Sequence, residues 1–153
     1  TACEMLKEHI ESLNPKFKIE VQGLQWPTYL DAYRSGQLPA FFIGWQADYP
    51  DPHNFIFTYF HSNGVYGTTQ GQAFLDFAQE NLDSLVEKAI AETDNEARQK
   101  IYEEIQTIAY ENALGITIYQ PLEVYPMRDW VKGWEFNPMR SGEVNWEGVY
   151  KEE

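Results

Sequence analysis

Pro50 and Pro52 stand two positions apart at the end of the run Ala40-Phe41-Phe42-Ile43-Gly44-Trp45-Gln46-Ala47-Asp48-Tyr49. Proline fixes φ and has no amide hydrogen to give, so no strand or helix interior can pass through this point. The short apolar run closed by Gly44 reads as a buried strand. Beyond it the chain must run as a stiff, extended loop carrying the Trp45 indole and two carboxylates, Asp48 and Asp51. An acidic and aromatic cluster at a strand exit suits a cationic or amphipathic small ligand.

Charge narrows the partners. The chain of 153 residues has 24 acidic against 11 basic side chains, a net charge of −13. Nucleic-acid binding needs a positive footprint, and an anionic membrane surface would repel this chain, so neither is expected. Aromatic residues make up 16% and apolar residues 43%, enough for one ordinary domain with a real core. One cysteine, Cys3, rules out an internal disulfide and leaves the compartment open. No run of eighteen apolar residues is present, and no signal peptide opens the sequence. The first residues enter an amphipathic helix directly, so the chain is expected to be cut from something longer.

Hydrophobic spacing sets the expected elements. Ala2, Met5, Leu6, His9, Ile10 and Leu13 fall on one helical stripe that Asn14-Pro15 ends, with His9 expected to be partly buried. Phe17, Ile19 and Val21 alternate with polar residues, as in a half-buried strand. Trp26-Pro27-Thr28 opens a short helix that Gly36 closes, and Leu38 to Trp45 is the next strand. Strand, helix, strand in this span is a βαβ unit, which makes a parallel or mixed sheet the default.

Further on, Phe55 to Phe60 reads as a short aromatic helix, and residues 61–72 as a polar, glycine-rich, exposed loop. Leu82, Leu85, Val86, Ala89 and Ile90 give a helical stripe. Thr93-Asp94-Asn95-Glu96 is a capping-box signal for a helix that faces Ile101, Ile105, Ile108 and Ala109 inward. Ile116 to Tyr119 reads as a strand stopped by Pro121, and Val124 to Met127 as extended. The tail carries Trp130, Trp134, Phe136 and Trp146 without a clear period.

Taken in order, these parts resemble a known family. Trp26 opens a short helix; Gly44-Trp45-x-x-Asp48-Tyr49-x-x-Pro52 follows; then come a helix around Asp83, Thr93-Asp94-x-Glu96-x-Arg98, Ile118-Tyr119-Gln120-Pro121 and Val131-Lys132-Gly133. This set is similar to the C-terminal part of the extracytoplasmic solute-binding proteins of peptide and nickel ABC transporters. The resemblance runs from about residue 3 to about residue 138.

It implies an α/β fold of the periplasmic-binding-protein type II kind, in which a mixed sheet is flanked by helices. Residues 1–116 would be the C-terminal half of the second, ligand-binding lobe, and 117–153 a hinge strand and a return segment toward the first lobe. It also implies a receptor, not an enzyme: the substrate-binding component of an importer, outside the cytoplasm, capturing peptides by lobe closure and handing them to a membrane permease. No cofactor or metal is implied. A truncated sheet edge would leave the chain open to self-association.

The resemblance also suggests residue roles. The Asp at the position of Asp48 accepts the ligand ammonium in peptide-binding members, and Trp45 and Trp26 match positions that wall a side-chain pocket. Tyr49 and Tyr119 are further candidates for ligand contact. Phe41 and Phe42 lie where some oligopeptide binders place an Arg, so nothing here obviously receives a peptide carboxylate. The tryptophans would serve an oligosaccharide receptor, or a carbohydrate-binding domain, equally well.

Plainer readings exist for several neighbours. Asp51, between two prolines, is expected to cap the loop. Trp26 before a helix can be a hydrophobic staple. His53 and His61 with the two aspartates match no metal-ligand spacing. Two carboxylates on one rigid loop leave no facing wall for glycosidase chemistry.

Overall fold

The computed structural model describes residues 1–140 and 145–152 and divides the chain into two compact units, Thr1–Gly44 and Trp45–Glu153. Residues 141–144 and 153 of the expected return segment lie outside the described residues.

The first unit holds α1 (Ala2–Leu13) and α2 (Trp26–Arg34). Thr1 caps α1 by accepting the Glu4 amide at 3.3 Å, and Asn14 turns the chain by accepting the Lys16 amide at 2.9 Å. Pro27 sits in the first turn of α2, where its missing donor costs nothing. Gly36 at φ 66° ends α2: the Gln37 amide reaches back to the Ala32 carbonyl at 2.9 Å and the Gly36 amide to that of Tyr33 at 3.0 Å. This paired closure needs a left-handed residue, so glycine is suited to it. His9 is exposed rather than partly buried.

The strands expected at Phe17–Val21 and Leu38–Trp45 do not form a ladder, and neither do Ile116–Tyr119 and Val124–Met127. Alternation reports which way side chains point, not whether another strand is alongside. Here a side chain takes the partner's role, since the Ile19 amide donates to Glu11 Oε1 of α1 at 2.8 Å. Among the described residues the sheet is a two-stranded antiparallel ladder, β1 (Val131–Lys132) with β2 (Tyr150–Lys151), in register Val131 to Lys151 and Lys132 to Tyr150. The mixed sheet of the sequence reading is thus replaced by a mainly helical arrangement.

The second unit is built on α3 (Pro52–Phe60), α4 (Gln72–Asn81), α5 (Asp83–Ala91) and α6 (Asn95–Glu111). α5 packs on α3, α4 and α6, most extensively on α6. Their inward faces make one core of Ile56, Phe74, Ala78, Leu82, Val86, Ala89, Ile101, Tyr102 and Ile105. Leu82, Val86 and Ile105 are fully buried, each stabilising the fold by about 1.5–3 kcal/mol on transfer grounds. Ile90, expected in this stripe, is exposed, and Leu85 and Ile108 are half-buried. α6 starts where the capping signal put it, but the accepting side chain is Asp94, which takes the Ala97 amide at 2.8 Å.

The glycine-rich segment after α3 is not an exposed loop. His61, Ser62, Gly64, Tyr66 and Gly67 are buried, and a 3₁₀ turn forms at Gly67–Thr69. A Cβ on Gly64 would overlap the Phe57 carbonyl oxygen, and one on Gly67 that of His61. The segment therefore presses backbone against the end of α3. Asp83 at the start of α5 holds it there, accepting from the Ser62 amide at 2.9 Å and the Ser62 hydroxyl at 2.5 Å. Small polar residues here serve close approach instead of solvation.

Candidate ligand-binding loop

Residues 45–51 lead directly into α3, and Asp51 is the cap of that helix, accepting the His53 amide at 2.8 Å. Pro52 follows as the first helical residue. This bears out the capping role expected for Asp51 and shows what else that carboxylate does. Arg98 of α6 grips it with two nitrogens, Nη1 to Oδ2 at 2.9 Å and Nη2 to Oδ1 at 2.7 Å. The same guanidinium donates through Nε to the Ala89 carbonyl at 3.0 Å and through Nη2 to the Tyr102 hydroxyl at 2.9 Å. The end of α5, the first turns of α6 and the start of α3 thus meet at one planar cation. The Arg98 bonds hold the Asp51 carboxyl below its ordinary pKa, partly opposed by burial and aided by the His53 amide.

The other end of the loop is tied by a different residue. Asn54 of α3, only 6% exposed, turns its side chain back toward the loop. Its Oδ1 accepts the Trp45 indole N–H at 2.6 Å and the Asp48 amide at 3.3 Å, and its Nδ2 donates to Asp48 Oδ2 at 3.4 Å. Trp45, half-buried, also meets the buried Tyr66 edge-on at 5.6 Å between ring centroids. Gln46 Nε2 donates to Glu123 Oε1 at 2.8 Å, which brings the segment after α6 beside the loop.

The candidate residues separate clearly. Trp45, Asp48 and Tyr49 are neighbours on the loop. Asp48 is exposed, and its carboxylate takes one long side-chain bond among the described residues. Tyr49 is half-buried, and its hydroxyl shares a 2.9 Å hydrogen bond with His53 Nδ1. Burial lowers the pKa of His53, with Asp51 opposing, so the neutral ring is favoured. Trp26 lies in the first unit, 61% exposed, and stacks on Tyr29 at 5.5 Å, which stacks in turn toward Tyr33 at 6.3 Å. Tyr119 is exposed in the segment after α6.

Sequence reasoning passed over Asn54 and treated Arg98 only as a motif letter. Asn54 lies in the first turn of α3, just ahead of the helix start expected at Phe55, and no local signal marked it. An Arg on a helix opening with Asp94 and Glu96 gave little sign of a partner 47 positions away. Among the described residues no group of three or more His, Cys, Asp or Glu could hold a metal ion, and no helix is long and apolar enough to cross a membrane.

Residues 1–67 match the family model for the middle region of bacterial extracellular solute-binding proteins, family 5. The chain is 26% identical over 121 residues to a probable di/tripeptide-binding protein 5 of Pseudomonas aeruginosa, covering 79% of this chain and 22% of that one. It is 26% identical over 125 residues to a dipeptide-binding protein of Escherichia coli, covering 82% and 22% respectively. Heme-binding protein A of Haemophilus influenzae is 28% identical over 114 residues, 74% of this chain and 20% of that protein. No solved structure matches.

By these matches the chain is similar to bacterial extracellular solute-binding proteins of family 5 and to peptide-binding relatives, in line with the sequence resemblance. The relatives named are all binding proteins by description. The chain spans about a fifth of the length of these curated relatives.

Proposed function

We propose that this chain supplies part of the ligand-binding surface of a peptide receptor serving an ABC importer outside the cytoplasm. The observation that carries this reading is the state of Asp48: an exposed carboxylate beside an ordered indole, its backbone and side chain both tied to Asn54. A carboxylate held in place yet largely unconsumed can receive a ligand ammonium at little reorganisation cost. The di/tripeptide-binding names of the relatives support the same substrate class.

In this reading residues 1–116 belong to the second lobe and 117–153 to the hinge strand and return segment. Ligand bridging both lobes favours the closed state through its differential contacts, and the closed receptor meets a membrane permease. Asp48 anchors the ammonium, and Trp45 offers a flat apolar wall. Trp26, the most exposed of the candidate tryptophans, gives a stacking surface for ligand side chains. Tyr49 and Tyr119 complete the proposed set, Tyr49 through its ring since its hydroxyl is engaged.

The test is Asp48→Asn in the receptor that carries this chain, titrated with trialanine and N-acetyl-trialanine. Losing one partner of a closed ion pair costs about 3–5 kcal/mol, so affinity for the free amine is expected to fall by about two orders of magnitude or more. Acetylated peptide should already be weak and change little. An oligosaccharide receptor would change by less than about tenfold on the same substitution. Equal binding of free and acetylated peptide by the unaltered receptor would remove the ammonium anchor.

A further inference from the structure

The amide of Asn54 can be oriented from its neighbours alone. An indole N–H only donates, and so does the backbone N–H of Asp48; both point at the same Asn54 atom, at 2.6 Å and 3.3 Å. That atom must be the oxygen. The nitrogen is then fixed on the other side, where it faces Asp48 Oδ2 at 3.4 Å. The backbone of Asn54 is committed as well, its amide to the Asp51 carbonyl at 3.1 Å and its carbonyl to the Thr58 hydroxyl at 2.6 Å. A buried Asn with its backbone held by a helix and its side chain engaged on three atoms has one orientation available.

We propose that Asn54 is the positioning residue of this site, its buried amide setting the plane of the Trp45 indole and the direction of the Asp48 carboxylate together. The proposal rests on the peptide-receptor reading above. It deepens that reading by giving the anchor and the aromatic wall one common support. Indole and carboxylate are three residues apart on an irregular loop, which alone would leave both free to turn. Coupled through one amide, they present a fixed acidic point next to a fixed flat surface. Such a pair selects for a primary or secondary ammonium followed at a set distance by an apolar group. It discriminates poorly among the apolar groups themselves.

Two variants separate positioning from mere support of the fold. Asn54→Leu keeps the shape and removes every side-chain hydrogen bond. Asn54→Asp keeps an oxygen for the indole and the Asp48 amide but replaces the donor facing Asp48 Oδ2 with a second carboxylate oxygen, so it preserves the indole arm and breaks the carboxylate arm. Hydrogen exchange of the Trp45 indole N–H, read by NMR on the 153-residue chain, is expected to speed up by at least about tenfold in Asn54→Leu and to stay within about threefold in Asn54→Asp. In the full receptor, Asn54→Leu should lower the preference for trialanine over N-acetyl-trialanine by at least about tenfold, or 1.4 kcal/mol. A variant that only loosened the fold would weaken both peptides alike.

Unchanged indole exchange in Asn54→Leu, or a preserved preference for the free amine, would overturn the proposal. If the unaltered receptor shows no such preference, the ammonium reading fails by itself. The indole exchange of the two variants then still decides whether Asn54 orients the loop.

Discussion

Asp48 and Asp51 belong to one loop and have opposite surroundings. Asp51 caps α3 and is gripped by both terminal nitrogens of Arg98. Asp48 faces solvent, its carboxylate taking a single long side-chain bond among the described residues. The first carboxylate is consumed in holding the loop to the helical core; the second is carried by that loop and left open. A fixed base with a free tip is the arrangement a binding loop needs, because ordering is completed before the ligand arrives. The contrast also says where stability and binding should part. Changes at Asp51 should cost folding, and changes at Asp48 should cost only recognition.

The largest effect is expected from Asp51→Ala. It removes a helix cap, about 0.5–2 kcal/mol, and leaves the partly buried Arg98 guanidinium without its carboxylate. Together these should lower stability by about 2–3 kcal/mol in denaturant titrations, with the midpoint moved and the slope kept. A loss under about 0.5 kcal/mol would erase the distinction between the two carboxylates. Arg98→Lys comes next. A lysine cannot span both oxygens while also meeting the Ala89 carbonyl and the Tyr102 hydroxyl, so about 1 kcal/mol should be lost despite the retained charge.

The sequence made one side of this contrast visible and hid the other. Two prolines and a Gly-Trp-x-x-Asp signature were enough to mark the loop, and a proline-flanked aspartate was enough to suggest a cap. Helix positions followed from period and caps, since those signals are local. The Arg98 grip joins residues 47 positions apart, and no local rule points across that distance. Strand pairing failed for a related reason. At Phe17–Val21 the alternation holds for the half-buried Ile19 and Val21 but not for the exposed Phe17, and a ladder needs a second backbone, whereas Glu11 answered Ile19 instead. The 61–72 segment was misjudged because glycine and serine were read as solvent-loving, when Gly64 and Gly67 are there to let backbones touch.

Acid should probe the same contrast with a smaller amplitude. The folded-state pKa of Asp51 is depressed, chiefly by its Arg98 hydrogen bonds, so its stabilisation is present above the unfolded value of about 3.9. It is lost as pH falls through the lower folded value. His53, depressed by burial, adds loss in the same direction as pH drops below about 6.5, because the unfolded chain takes up that proton more readily. Stability measured from pH 7 down to 2 should therefore decline in two stages. Asp51→Asn should flatten the lower stage and deepen the upper one, because the carboxylate that opposes the burial effect on His53 is gone. An unchanged lower stage would mean the ion pair contributes nothing to folding.

The smallest stability change belongs to Asp48→Asn. Its carboxylate is solvated, and the one side-chain bond it accepts is long, so folding has little invested in its charge. The substitution should shift stability by less than about 0.5 kcal/mol while abolishing the preference for free-amine peptide. That combination would distinguish a recognition group from a structural one: the same atom would be dispensable to the fold and decisive for the ligand. A loss approaching that of Asp51→Ala would place Asp48 among the supports of the loop. The open end of the comparison would then close, and the carboxylate available to a ligand would have to be sought elsewhere in the receptor.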